Sequence, residues 1–130
     1  MKNFFVLVFL IGFFSCEQKI DTKNKFTTIF EQTDGTETPD YRSIISYYEE
    51  LSEAYSSISL FSLGETDAGE PLHLAVYNSG NIHDIEEIKN TSKNRILINN
   101  GIHPGESDGI DASMMLLRDI VTNDSLKQKY

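Results

Sequence analysis

One stretch of this chain reads Arg95-Ile-Leu-Ile-Asn-Asn-Gly-Ile-His-Pro-Gly-Glu106. Its short continuous apolar run, residues 96–98, predicts a central strand that is buried on both faces of a sheet. The loop that follows contains Pro104 and Gly105, which predict a bend in the backbone. That loop carries an imidazole, His103, and a carboxylate, Glu106, three positions apart. The stretch therefore predicts a strand that leads two chemically active side chains into one loop.

An amphipathic helix is predicted after the loop, from Gly109 to about residue 122. Apolar residues recur there at helical spacing: Ile110, Met114, Leu117 and Val121. Ser107 or Asp108 is the expected cap. The methionines are interpreted as core side chains and not as metal ligands. No completed element is predicted for residues 125–130.

A helix and a hairpin are predicted before the central strand. Thr38-Pro39-Asp40 predicts a helix start, with the threonine as the cap. The helix buries one stripe of apolar and tyrosine side chains: Tyr41, Ile44, Ile45, Tyr48, Leu51 and Tyr55.

Residues 58–63 and 72–77 alternate like strands and flank a turn-rich segment, which predicts an antiparallel hairpin. The order predicts an α/β fold whose loop lies at a strand's carboxyl end, where open α/β sheets bind ligands.

The amino terminus has the parts of a secretory signal. A basic start precedes the apolar residues 4–14, and Ser15 follows them. A membrane-spanning helix is disfavoured because it needs about 20 apolar residues. A buried core helix is the alternative, but the run has no polar face.

The single cysteine, Cys16, excludes an intramolecular disulfide. Its position resembles the lipid-attachment site of bacterial lipoproteins, although Phe13 and Phe14 are atypical there. An ordinary cleaved signal with a free thiol is the alternative. The lipoprotein interpretation predicts a signal at 1–15, a lipidated Cys16 with a polar tether at 16–38, and a domain at 39–130. Phe26, Ile29 and Phe30 interrupt the tether, and a short strand or a hook that docks on the domain is expected there. The protein would be exported, to the periplasm or the cell surface, and held to the membrane by its lipid.

The formal net charge of −9 argues against nucleic-acid partners, which require clustered Lys and Arg. His103 and Glu106 suit a different ligand. Zinc binds imidazole nitrogen and carboxylate oxygen, and a catalytic zinc site uses three protein ligands and a water. A bend at Pro104-Gly105 would let both side chains reach one ion. The alternative is two surface loop residues without a metal. Neither His73, placed in a strand, nor His83, placed in a loop, is assigned as a ligand.

The motif Asn-Asn-Gly-Ile-His-Pro-Gly-Glu, with the following Asp-Gly-Ile-Asp-Ala-Ser-Met-Met, resembles the first metal-binding motif of the M14 zinc carboxypeptidases. The hairpin sequence at 63–72 and the helix at Tyr41 also resemble that family, so the resemblance covers residues 39–121. It implies the N-terminal part of a mixed-sheet carboxypeptidase-like fold, a zinc cofactor and hydrolysis of the C-terminal peptide bond of a peptide substrate. His103 and Glu106 match the family's first two zinc ligands.

The other functional residues of the family have no counterpart here. No histidine or glutamate follows Glu106, so the third ligand and the general base are absent and no catalytic residue is assigned. Arg118, the only later arginine, falls inside a packed helix. The expected protein is a truncated carboxypeptidase domain that is inactive alone, with a strand lacking neighbours. The alternatives are a zinc-dependent deacylase of the same fold and a non-catalytic lipoprotein that serves as a binding module.

Overall fold

The computed structural model describes residues 25–130. The predicted signal, Cys16 and the first part of the tether lie outside the described residues. No helix among the residues described is long and apolar enough to cross a membrane.

The two predicted long helices and the predicted hairpin occur in the predicted order, with further short helices around them. In chain order the elements are α1 (Ile29–Gln32), α2 (Tyr41–Ala54), β1 (Ile58–Glu65), β2 (Pro71–Tyr77), α3 (Ile85–Lys89), α4 (Asp108–Thr122) and α5 (Asp124–Lys129). The strands pair antiparallel, from Ile58 opposite Tyr77 to Ser62 opposite His73. The predicted hairpin is confirmed, and helices with a strand pair agree with the α/β class.

Helix α2 begins later than the sequence predicts. Its cap is Asp40, whose side chain accepts a hydrogen bond from the Ser43 amide at 2.8 Å. This bond holds the pKa of Asp40 below its ordinary value. Thr38 was the predicted cap, but its hydroxyl donates to Asp111 Oδ2 at 2.7 Å instead. The cap prediction was wrong because Thr38 has a distant partner that the local sequence does not show.

The hydrophobic core lies where α2, the hairpin and α4 meet. Its buried members are Phe26, Leu51, Ile58 and Val121, with Tyr47, Tyr48, Tyr55, Tyr77 and Leu117 packed against them. The predicted tyrosine stripe is therefore mainly core, and burial raises the pKa of Tyr48 to about 12. Tyr41 is the exception: it is partly exposed, and its hydroxyl donates to the Pro71 carbonyl at 2.6 Å.

The predicted central strand is not formed. Ile96, Leu97 and Ile98 are 79%, 79% and 54% exposed, and no strand of the described chain pairs with them. A strand depends on ladder hydrogen bonds to a neighbour, and β1 and β2 pair only with each other. The apolar run therefore stays exposed, as expected for a segment without neighbours, and takes no regular structure.

The carboxyl-terminal residues form a helix that the sequence analysis missed. Helix α5 follows α4 directly, and the Asn123 side chain accepts from the Ser125 amide at 3.0 Å. Asp124 in the first turn and two lysines in the last turn suit the helix dipole. Only Leu126 is apolar in this segment, so there was no hydrophobic period to detect.

Residues 26–32 pack against the domain although the sequence placed them in a tether. Phe26 is buried in the core, and α1 begins with a reciprocal capping box between Thr28 and Glu31. Arg118 on α4 donates to the Glu31 carboxylate and, at 3.2 Å, to the Phe26 carbonyl. The segment docks as a helical hook and not as a strand.

Candidate metal centre

A tight turn brings the two predicted ligands together. The amide of Glu106 donates to the carbonyl of His103 at 3.4 Å, which closes a four-residue turn. Pro104 occupies the second position and Gly105, with φ +85°, the third. Proline followed by a residue with positive φ is the signature of a type II turn. The bend predicted at Pro104-Gly105 is therefore present.

The side chains of His103 and Glu106 converge on the outside of this turn. His103 Nδ1 lies 3.1 Å from both carboxylate oxygens of Glu106. The side chains are 68% and 58% exposed, so a dissolved ion can reach them. In the tautomer that carries its proton on Nδ1, the imidazole donates a hydrogen bond to the carboxylate. In the other tautomer, the lone pair of His103 Nδ1 and those of the Glu106 oxygens are close enough together to bind one cation.

The donor atoms fit zinc. Zinc takes imidazole nitrogen at about 2.0–2.1 Å and carboxylate oxygen at about 2.0–2.2 Å, so two such donors on one tetrahedral ion lie about 3.4 Å apart. The observed separation of 3.1 Å requires only a small adjustment. Binding at Nδ1 would require the imidazole tautomer with its proton on Nε2, so the hydrogen bond from Nδ1 to Glu106 would be given up.

Two positions hold the turn close to the start of α4. The Asn100 amide donates to the Ser113 hydroxyl. Gly101, with φ +64°, lies so near Ile110 that an added Cβ would be 2.6 Å from its Cδ1 atom. Ser107 is the cap residue, as predicted, but its side chain makes no capping bond. The candidate ligands thus precede a helix to which their loop is packed.

The other histidines and Arg118 make their contacts elsewhere in the described chain. His73 Nδ1 is 3.2 Å from the Tyr41 hydroxyl, and the exposed His83 has Nδ1 3.0 Å from Ser59 Oγ. Arg118 is buried and pairs with Glu31 and Asp119. Met114 is a core side chain. Within residues 25–130 no group of three His, Cys, Asp or Glu side chains could hold a metal.

Two buried polar features of α4 were missed by the sequence analysis. Arg118 reaches Glu31, and Asp111 accepts from Thr38 while its second oxygen has no partner among the described residues. Both partners come from the segment before α2, 73 and 87 positions away. The sequence does place both charged residues on the buried face of the helix, by their helical spacing. It gives no indication of which distant residue pairs with each of them.

Replacing Gly105 by alanine is expected to loosen the turn. A Cβ would meet no atom within 4 Å, so the cost is the strain of a left-handed backbone alone, about 1 kcal/mol or somewhat more. This corresponds to about five-fold faster hydrogen exchange at the Glu106 amide, measured by NMR. Gly105→Asn is the matched control, because asparagine tolerates positive φ. Equal exchange in the alanine and asparagine variants would contradict this explanation.

Residues 44–129 match the zinc carboxypeptidases, peptidase family M14. The match spans more than half of the sequence and includes most of α2, the hairpin, the His103–Glu106 turn and α4. The chain belongs to the zinc carboxypeptidase family. No curated protein and no solved structure matches it. The family consists of zinc-dependent hydrolases that act on peptide substrates. The helices and antiparallel strands of the described chain agree with membership of this family.

Proposed function

We propose that His103 and Glu106 are two of the three zinc ligands of an exported metallocarboxypeptidase that hydrolyses C-terminal peptide bonds. The observation that carries this proposal is the 3.1 Å approach of His103 Nδ1 to both Glu106 oxygens. The approach occurs across a type II turn inside the residues that match the family. It supports the proposal because two zinc donor types meet there on an exposed turn that an ion can reach.

The residues of this chain would hold the zinc ion and orient its ligands. Zinc, when bound, would lower the pKa of a water and polarise the substrate carbonyl. His103 and Glu106 would hold the ion, and the turn at Pro104 and Gly105 aims them. Arg118 does not bind a substrate carboxylate, because its guanidinium is committed to Glu31 and Asp119 in the interior.

We propose further that these 130 residues are part of a longer catalytic domain and do not hydrolyse peptides alone. The support is the missing third ligand: His73 and His83 contact Tyr41 and Ser59, and no group of three donors exists among residues 25–130. A purified chain that released C-terminal residues from a peptide in a zinc-dependent manner would contradict this proposal.

Zinc titration tests the ligand assignment. The parent chain is expected to bind one zinc ion per chain in isothermal titration calorimetry at pH 7. His103→Ala and Glu106→Gln are each expected to weaken binding by about ten- to a hundred-fold, at least as much as the loss of an outer-shell partner. His83→Ala is the matched control and is expected to bind like the parent.

The same titration separates the alternatives. Equal weakening in His103→Ala and His83→Ala would overturn the assignment. A parent chain that folds as a stable monomer and binds no zinc would favour a non-catalytic binding module instead. Circular dichroism of each variant checks that the fold is retained.

The proposed export and lipid anchor rest on the sequence alone, since residues 1–24 lie outside the described residues. Cys16 is the proposed attachment site. In a bacterial host the parent chain should incorporate labelled palmitate and fractionate with membranes, and Cys16→Ser should do neither. Incorporation of label by the serine variant would refute the assignment of Cys16.

A further inference from the structure

The loop that carries the candidate ligands is not held by a sheet. The apolar run before it, residues 96–98, is exposed and pairs with no strand in the described chain. From residue 94 to residue 106 the only backbone–backbone hydrogen bond made within the described chain is the one that closes the His103–Glu106 turn. Side-chain contacts with α4 must therefore fix where this turn lies.

Two interlocking contacts join the loop to the first two turns of α4. The Asn100 side chain lies directly over Gly109, where an added Cβ would be 2.5 Å from Asn100 Oδ1 and 2.9 Å from its Cγ. The amide end of the same side chain donates to Ser113. In the opposite sense, Ile110 covers Gly101, where an added Cβ would be 2.6 Å from Cδ1. Gly109 on the helix leaves room for the Asn100 side chain, and Gly101 in the loop leaves room for the Ile110 side chain.

We propose that Asn100, Gly109 and Ser113 form a loop clamp whose role is to position His103 and Glu106 for zinc. The clamp grips the loop three residues before His103, and α4 begins two residues after Glu106. The loop is thus fixed to one rigid helix on both sides of the ligand pair. The positioning residues do not touch the ion. The expected effect on zinc affinity rests on the proposed zinc site. The contact between Asn100 and α4 is observed independently of it.

Zinc affinity is the first readout. Loss of a group that is hydrogen-bonded to a metal ligand typically weakens metal binding about ten- to a hundred-fold. Asn100 lies one step further from the ion, so Asn100→Ala is expected to raise the zinc dissociation constant by less than that, about three- to ten-fold. The matched control is Asn99→Ala, which alters an exposed neighbouring asparagine outside the clamp. Equal effects of the two variants would overturn the proposal.

A second, gentler variant covers the case in which Asn100→Ala does not fold. Ser113→Ala removes only the hydroxyl that accepts from Asn100, and alanine is a better helix former than serine. It is expected to preserve or increase helicity while weakening zinc binding several-fold. Unchanged zinc affinity with an unchanged fold would overturn the proposal.

A mutant cycle distinguishes the clamp from general destabilisation. Gly109→Ala forces a Cβ against the Asn100 carboxamide, so it should weaken zinc binding in the parent. In the Asn100→Ala background that carboxamide is gone, and the same glycine substitution should have a several-fold smaller effect. Independent, additive effects would show that the two residues do not act through each other and would overturn the proposal.

Hydrogen exchange separates this proposal from the zinc assignment. In metal-free protein, Asn100→Ala should speed exchange of the Glu106 amide several-fold, and Asn99→Ala should not. If the parent bound no zinc but showed this difference, the zinc assignment would fail while the contact with α4 stood. If zinc bound normally and exchange at Glu106 were the same in both variants, the clamp would fail while the zinc assignment stood.

Discussion

Arg118→Ala is expected to lower the free energy of unfolding by about 2–3 kcal/mol, because a buried guanidinium loses charge-assisted hydrogen bonds to two carboxylates that are themselves partly exposed. The Arg118 side chain is only 3% exposed and pairs with both Glu31 and Asp119. It also donates to the Phe26 carbonyl at 3.2 Å. Alanine would leave Glu31 without its cation and a void in the packed interior, so α1 would lose its attachment to α4.

Chemical denaturation at pH 7 measures this effect. Arg42→Ala on the exposed side of α2 is the matched control and should change stability by less than about 0.5 kcal/mol. Arg118→Met should cost less than Arg118→Ala, because it retains an apolar stem of similar length. A loss below about 1 kcal/mol for Arg118→Ala would show that the hook contributes little to folding.

The same ion pair makes stability depend on pH. Burial by itself would raise the pKa of Glu31, but the bonds from Arg118 and the Thr28 amide, with the Arg118 charge, outweigh it and hold the pKa below its ordinary value of 4.5. A lowered folded-state pKa contributes stability above the unfolded-state pKa, and that contribution is lost as pH falls through the folded-state value. Stability should therefore fall on acidification below about pH 4.5, and less steeply in Glu31→Gln.

Leu51→Ala is expected to be the second large loss, about 3–5 kcal/mol. Leu51 is fully buried and belongs to the core cluster with Phe26, Ile58 and Val121. Its neighbours come from the hook, the hairpin and α4, so truncation opens a cavity where three segments meet. The cost is the lost burial of the side chain together with the cavity that the surroundings cannot fill.

Thermal and chemical unfolding of Leu51→Ala should be compared with Leu63→Ala. Leu63 lies in β1 with 53% of its surface exposed, so its truncation should cost less than about 1 kcal/mol. Similar losses for the two leucines would show that the core is not where the structure places it.

Some elements were predictable because their causes are local. Helices α2 and α4 each carry an apolar stripe with helical spacing, and both were predicted. The hairpin alternates around a segment of turn-forming residues. The approach of His103 to Glu106 was also predictable, since Pro104 and Gly105 between them specify the turn. Their role as zinc ligands stays a prediction, supported by membership of the family.

Other elements depend on partners that are distant in sequence. The apolar run at 96–98 has the composition of a strand, but a strand exists only with a neighbour to complete its hydrogen bonds, and the described chain offers none. The start of α2 differed from expectation because Thr38 bonds to Asp111. Helix α5 lacks an apolar period and follows instead from its Asn123 cap.

The sequence by itself determined the α/β class, the family resemblance and the pairing of His103 with Glu106, because periodicity and turn chemistry act over a few residues. The tertiary structure alone decided that Arg118 is neutralised by Glu31, that the hook is part of the core and that Asn100 lies over Gly109. Each of these contacts joins segments 9 to 92 positions apart, and no local pattern specifies which distant side chain fills the space.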